Sequence, residues 1–292
     1  MLKRAFGNTN EQLSILGFGG IMVMNTDPVE AAQLVKTAIL RGVNYFDVAP
    51  GYGNAEELLG PALQPFRNEV FLACKTGKRR ADEATEELHR SLKRMRTDCF
   101  DLYHLHGMST EEDFQQATGT GGALAAFVKA RDDGLVRYLG FSAHSDAIAL
   151  KLLDYFDFDS VLFPVNWVSY LTDGFGRDVV VKAESKGAAR LALKAFARSR
   201  VEEGAEKQYG KCWYHPITDS DLASLAFRFA LSQPVTAALP PGAQELFPMA
   251  LNIAENFEPS TEAEISFLKH NLTDNTPLFR TEITGGFQGF GN

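Results

Sequence analysis

Cysteine is scarce: the chain of 292 residues holds three, Cys74, Cys99 and Cys212, odd in number and widely spaced. That excludes a disulfide framework and a C-x-x-C metal site, and buried free thiols are the expectation. Long apolar runs are missing too. No stretch reaches the length of a membrane span, and Met1–Asn10, with Lys3, Arg4 and Asn8, lacks the apolar core of a secretory leader. A cytoplasmic protein with no membrane partner is expected. Positive charge is in deficit, 29 Lys and Arg against 37 Asp and Glu, a formal net charge of −8. Such a balance opposes broad attraction to nucleic acid and points to small-molecule partners. Linkers and internal repeats are also absent, so residues 1–292 are expected to form a single domain; nothing in the pattern indicates an oligomeric state.

What is present is a repeating pattern. The 45% apolar content suffices for a large core. From Leu13 onward, short apolar runs alternate with amphipathic stretches of helical period, as parallel strands joined by crossover helices require. The strands are expected at Ser14–Gly19, Val43–Ala49, Val70–Lys75, Phe100–His106, Tyr138–Phe141, Ser160–Asn166, Ala189–Ala195 and Val235–Leu239. Helices are expected at Pro28–Arg41, Ala55–Gln64, Asp82–Met95, Ala123–Asp133, Asp146–Tyr155, Gly176–Ser185, Asp219–Ser232 and Leu246–Phe257. Eight such units close a (β/α)8 TIM barrel. Leu2–Arg4, a Gly7–Asn10 turn and Gln12–Ile15 read as an N-terminal β-hairpin, and Thr261–Leu272 as a C-terminal extra helix. The connections Gly107–Gly122 and Phe196–Thr218 exceed ordinary barrel loops and leave strand C-terminal ends, where barrel active sites sit. The tail 273–292 reads as a flexible or late-docking segment.

Four polar residues end or follow successive strands: Asp47, Tyr52, Lys75 and His106. Strand alternation sends Asp47 with Tyr45, Lys75 with Ala73 and His106 with His104 to one face, leaving Cys74 on the helix-facing side. In this constellation the chain resembles the aldo-keto reductases over nearly its whole length. The resemblance is carried by Leu16-Gly17-Phe18-Gly19-Gly20, by Asp47 ahead of Tyr52-Gly53 with Glu56 or Glu57 and Leu59-Gly60, by Lys75, and by Asp101 to His106. It implies an NAD(P)-dependent oxidoreductase moving a hydride between nicotinamide and a carbonyl or alcohol. Tyr52 is then the general acid or base, Lys75 its neighbouring cation, Asp47 the partner of Lys75, and His106 a hydrogen-bond donor to the substrate oxygen.

The resemblance also implies cofactor contacts. Gly20 and Ile21 follow the first strand; Ser142 and Asn166 end the fifth and sixth and match the carboxamide clasp; Lys194, Phe196 and Arg198 match the loop against the diphosphate. Beyond the eighth strand, Leu239-Pro240-Pro241-Gly242-Ala243-Gln244-Glu245 holds no Lys or Arg, and none follows until Lys269. Members preferring NADP place basic residues there, so NAD is weakly favoured, with Glu245 accepting from ribose hydroxyls. Glu255 and Asn256 match the adenine-contacting stretch. Phe18, Ile21, Trp167, Tyr170, Trp213 and Tyr214 are candidate lining for an apolar or sugar-binding cleft.

Two other functions fit part of the pattern. His104 and His106 on one strand face, with His144 after the next strand, suggest a metal-dependent barrel hydrolase, although carboxylate ligands at other strand ends are lacking. A non-catalytic nicotinamide-binding regulatory subunit is the other, against which the complete tetrad argues. No metal is expected, and with no cysteine after Cys212 no iron–sulfur cluster of the kind some relatives carry.

Overall fold

The computed structural model describes residues 1–202, 204–272 and 277–281. Eight parallel strands line up in chain order: Gly17–Gly19, Tyr45–Asp47, Phe71–Thr76, Phe100–Met108, Val136–Ala143, Ser160–Pro164, Ala189–Leu193 and Ala237–Ala238. The last returns to the first through a parallel bridge between Leu16 and Ala238, with the Ala238 amide donating to the Ile15 carbonyl at 2.8 Å. That contact closes the (β/α)8 barrel. Each expected strand and helix appears with its ends moved by a few residues, as hydrophobic period fixes an element better than its limits.

Two alternating faces run along each strand. Tyr45, Phe71, Ala73, Leu102, Leu162 and Leu191 point into the barrel, and Phe46, Leu72, Cys74, Tyr103, Phe141 and Val161 pack outward against helices. The N-terminal hairpin, Lys3–Ala5 paired with Gln12–Ser14, inserts Phe6 and Leu13 into the inner core and stops the barrel bottom. Within this core His104 meets Ser160, its Nε2 lying 2.8 Å from the hydroxyl, and Gly140 makes the room. A Cβ on Gly140 would stand 2.3 Å from Ser160 Oγ and 2.4 Å from His104 Cδ2.

Both long connections acquire structure. Residues 107–122 form the helix Glu111–Thr118, whose capping box pairs the Thr110 hydroxyl with the Asp113 amide and the Asp113 carboxylate with the Thr110 amide. Residues 196–218 form a second hairpin, Ala197–Arg200 against Tyr214–Pro216. A helix that periodicity alone does not separate, Trp167–Asp173, starts at Asn166, whose side-chain oxygen accepts from the Val168 and Ser169 amides. It explains why Trp167 and Tyr170 line no cleft: both are buried on this short helix, Tyr170 against Phe229. Phe18 likewise faces outward onto Phe46 and Phe247. The extra helix spans Glu262–His270. Of the tail, residues 277–281 dock on the barrel, with Phe279 stacked on His144 and Phe175; the other residues of 273–292 lie outside the described residues.

Candidate active site

Asp47 ends the second strand and Lys75 stands near the end of the third, both inward, and their side chains form a direct ion pair deep in the mouth. Tyr45 donates its hydroxyl to Asp47 Oδ2 at 3.2 Å, and Lys75 Nζ also donates to the Val48 carbonyl at 3.4 Å. The turn after the second strand carries Tyr52 back over this pair, so that Lys75 Nζ lies 5.5 Å from the Tyr52 ring centre. His106 closes the group from the fourth strand, its ring edge-on to Tyr52 with centres 6.1 Å apart. Four residues scattered over sixty positions of sequence thus converge because strand alternation and barrel order aim three of them at one point and a turn folds Tyr52 over it.

Burial sets the electrostatics. It holds the Tyr52 phenol above its ordinary pKa, while the attraction of Lys75 and a hydrogen bond from it pull the other way. Lys75 offsets the cost of burial rather than overcoming it, and the phenol keeps its proton at neutral pH. Burial also raises the Asp47 carboxyl, against the attraction of Lys75. Burial works against the Lys75 ammonium as well, but Asp47 and Tyr52 together hold it above the ordinary lysine value. His106 is pushed well below the ordinary imidazole range by burial and then by Lys75, so it is neutral and its ring can donate a single hydrogen bond.

The tetrad opens onto a pocket in which Tyr52 and Asp47 share the wall with Ile21, Lys194, Lys211 and Trp213. A second, adjoining pocket shares Ile21, Lys211 and Trp213 with it. Trp213, Tyr214 and Lys211 come from the second strand of the 196–218 hairpin and the turn before it, which lies over the mouth. Lys211 Nζ donates to the Met22 carbonyl at 2.6 Å, tying that turn to the loop after the first strand, and feels the charges of Glu245 and Glu30.

Other expected contacts fall elsewhere. Asn166 has no hydrogen-bonding capacity left for a carboxamide: its oxygen accepts from Val168 and Ser169, and its nitrogen donates to the carbonyls of Lys194 at 2.9 Å and Ala197 at 2.6 Å. Ser142 Oγ accepts from the Gly107 amide at 2.8 Å, which leaves its proton to give. Phe196 is buried against Phe227, and Arg198 is exposed on the hairpin. Glu255 pairs with Arg41 and Asn256 donates to the Asn252 carbonyl. Those two residues end a helix that runs back toward the barrel bottom, as does the helix before Arg41, so they lie away from the mouth. Gly20 opens the turn Gly20–Val23, where a Cβ would stand 2.9 Å from Val48. The metal reading finds no support in the geometry of His104, which is buried, neutral by desolvation and engaged by Ser160. Sequence reading passed over Lys211; the signal was a basic residue directly before Cys-Trp-Tyr in an overlong connection.

Residues 15–212, more than half of the chain, match the model of the aldo/keto reductase family. The chain belongs to that family. An uncharacterized oxidoreductase of Bacillus subtilis, YqkF, is 26% identical over 92% of this chain and 96% of its own length. The L-galactose dehydrogenase of Arabidopsis thaliana is 27% identical over 68% of this chain and 67% of its own. Among solved structures, the holo form of the aldo-keto reductase AKR11C1 from Bacillus halodurans superposes with a TM-score of 0.72 at 23% identity, covering 92% of this chain and 96% of that one, a likeness of fold. The chain is therefore an enzyme, an NAD(P)-dependent oxidoreductase built on a TIM barrel.

Proposed function

We propose that this aldo-keto reductase reduces a small carbonyl compound to the alcohol, with Tyr52 as the proton donor. The observation that carries the reading is the convergence of Tyr52, the Lys75–Asp47 pair and neutral His106, with Tyr52 and Asp47 on the wall of one pocket. A nicotinamide cofactor, when bound, supplies or accepts the hydride. The two adjoining pockets fit such a group: apolar walls from Ile21 and Trp213 suit the ring, and Lys211 at their junction suits a phosphate. Ser142, with its hydroxyl proton available, remains the candidate for the carboxamide.

The roles follow from charge and position. Tyr52, protonated at neutral pH, gives its proton to the carbonyl oxygen as negative charge develops there. Lys75 then stabilises the phenolate left behind, and Asp47 keeps the ammonium in place. His106 donates to the same oxygen and fixes the direction from which the carbonyl presents itself. Lys211 supplies from the hairpin the cation that the loop after the eighth strand lacks, so the weak preference for NAD expected from that loop is reduced to rough parity between the two cofactors. Reduced cofactor deuterated at the transferring carbon, incubated with a panel of aldehydes, tests the proposal. Deuterium at the alcohol carbon of the product supports it, and no cofactor oxidation with any aldehyde refutes it.

A further inference from the structure

Lys194 is an odd residue to find where it stands. It directly follows the seventh strand in a left-handed backbone conformation, φ 67°, which lysine adopts at a cost of about 1–2 kcal/mol. That conformation is held from two sides: the Lys194 carbonyl accepts from Asn166 Nδ2 at 2.9 Å and from the Ala197 amide at 2.9 Å. The side chain turns into the pocket that contains Tyr52, and its ammonium lies 5.2 Å from the ring centre of Trp213 and 5.0 Å from that of Tyr214. Among the described residues no carboxylate pairs with it. Among the described residues the groups that face it are Lys75, His106, His144, Cys212 and the two rings, with Arg200 also 5.9 Å from the Trp213 ring centre, and of these only the Cys212 thiol and the ring faces favour its charge. Burial brings its pKa down to about 8, with Lys75 contributing, which leaves it mostly charged at neutral pH.

A half-buried cation that meets aromatic faces and no carboxylate among the described residues is costly, and backbone strain maintained by two hydrogen bonds marks the placement as one that the fold enforces. An anion in this pocket would relieve the cost. Its location decides which anion. Lys194 lines the pocket of Asp47 and Tyr52 and does not line the adjoining one, whereas Lys211 lines both. We infer that the carbonyl substrate carries an anionic group, a carboxylate or a phosphate, and that Lys194 receives it beside Tyr52, with Asn166 as the residue that positions Lys194. The inference rests on the reading of Tyr52 as the reaction centre. The cofactor diphosphate is the other source of the same chemistry, and the test separates them.

The test uses the enzyme loaded with reduced cofactor and two aldehydes of nearly one shape, para-carboxybenzaldehyde and para-formylbenzamide. Wild type is expected to favour the carboxylate at least tenfold in kcat/KM, about 1.4 kcal/mol. Lys194→Met should bring that ratio to about one, and Lys194→Arg should restore part of it. A wild-type ratio at or below one overturns the inference. So does a Lys194→Met protein that loses rate equally on both aldehydes while its affinity for reduced cofactor falls tenfold, since that result assigns Lys194 to the diphosphate. If neither aldehyde is reduced, the reading of the reaction centre fails by itself. Lys194 is then judged by quenching of Trp213 fluorescence with benzoate against benzamide, where a benzoate preference supports the inference and equal quenching overturns it.

Discussion

Replacing Lys75 by Met removes the one cation from a pair that is almost wholly buried. Asp47 would keep only the Tyr45 hydroxyl, at 3.2 Å, as a partner. Stranding one member of a buried pair costs about 3–5 kcal/mol. Unfolding entropy of about 2.1 cal/mol/K per residue over 292 residues amounts to ~0.6 kcal/mol/K, so the melting temperature should fall by about 5–8 °C at pH 7.5. The loss should depend on pH in one direction. The Asp47 carboxyl already titrates above its ordinary value of 3.8 in the folded protein, because of burial, and without Lys75 it titrates higher still. A group with a raised folded pKa contributes its stability fully below the unfolded value and loses it as pH climbs through the folded one. The deficit of the variant relative to wild type should therefore be small near pH 4 and complete at pH 7.5. Calorimetry at both pH values, repeated on the double variant Asp47→Asn with Lys75→Met, provides the assay. The double variant should recover most of the lost stability. A deficit that is equal at both pH values, or a double variant no more stable than the single one, would refute the account of the pair.

Lys211→Met should weaken reduced cofactor about tenfold in a fluorescence titration, and an unchanged affinity would remove Lys211 from the cofactor site. Wild type should bind NADH and NADPH within about tenfold of each other, roughly 1.4 kcal/mol; a larger gap would show that Lys211 and Glu245 do not balance as described. Gly140→Ala should destabilise the barrel by about 1–3 kcal/mol through its collision with Ser160 and His104, as read by urea unfolding, and a neutral effect would mean that this part of the core yields freely.

The sequence disclosed the barrel, and the convergence of three of the four polar residues, for the same physical reason. Inward and outward faces alternate every residue, so Asp47, Lys75 and His106 could be placed on one face from neighbours such as Ala73 and Cys74 alone. The cofactor side was less legible because its contacts depend on how irregular segments fold. Asn166 looks like a free amide at a strand end, yet it caps a short helix that no periodicity announces and spends its donors on the carbonyls of Lys194 and Ala197. Glu255 and Asn256 match the adenine-contacting stretch by residue type, but a helix directed to the barrel bottom takes them away. Lys211 went unnoticed because only the pairing of Ala197–Arg200 with Tyr214–Pro216 folds its turn back over the mouth. The strain at Lys194 belongs to backbone geometry, which residue identity does not report.

The central claim is that the Tyr52 hydroxyl gives the proton. Single-turnover reduction of a saturating aldehyde, followed by nicotinamide absorbance in wild type and in Tyr52→Phe, tests it most directly, because one oxygen is the only atom changed. Loss of at least about a hundredfold in the rate of that turnover is predicted, with the affinity for reduced cofactor retained. A Tyr52→Phe enzyme that turns over within a few-fold of wild type would contradict the account.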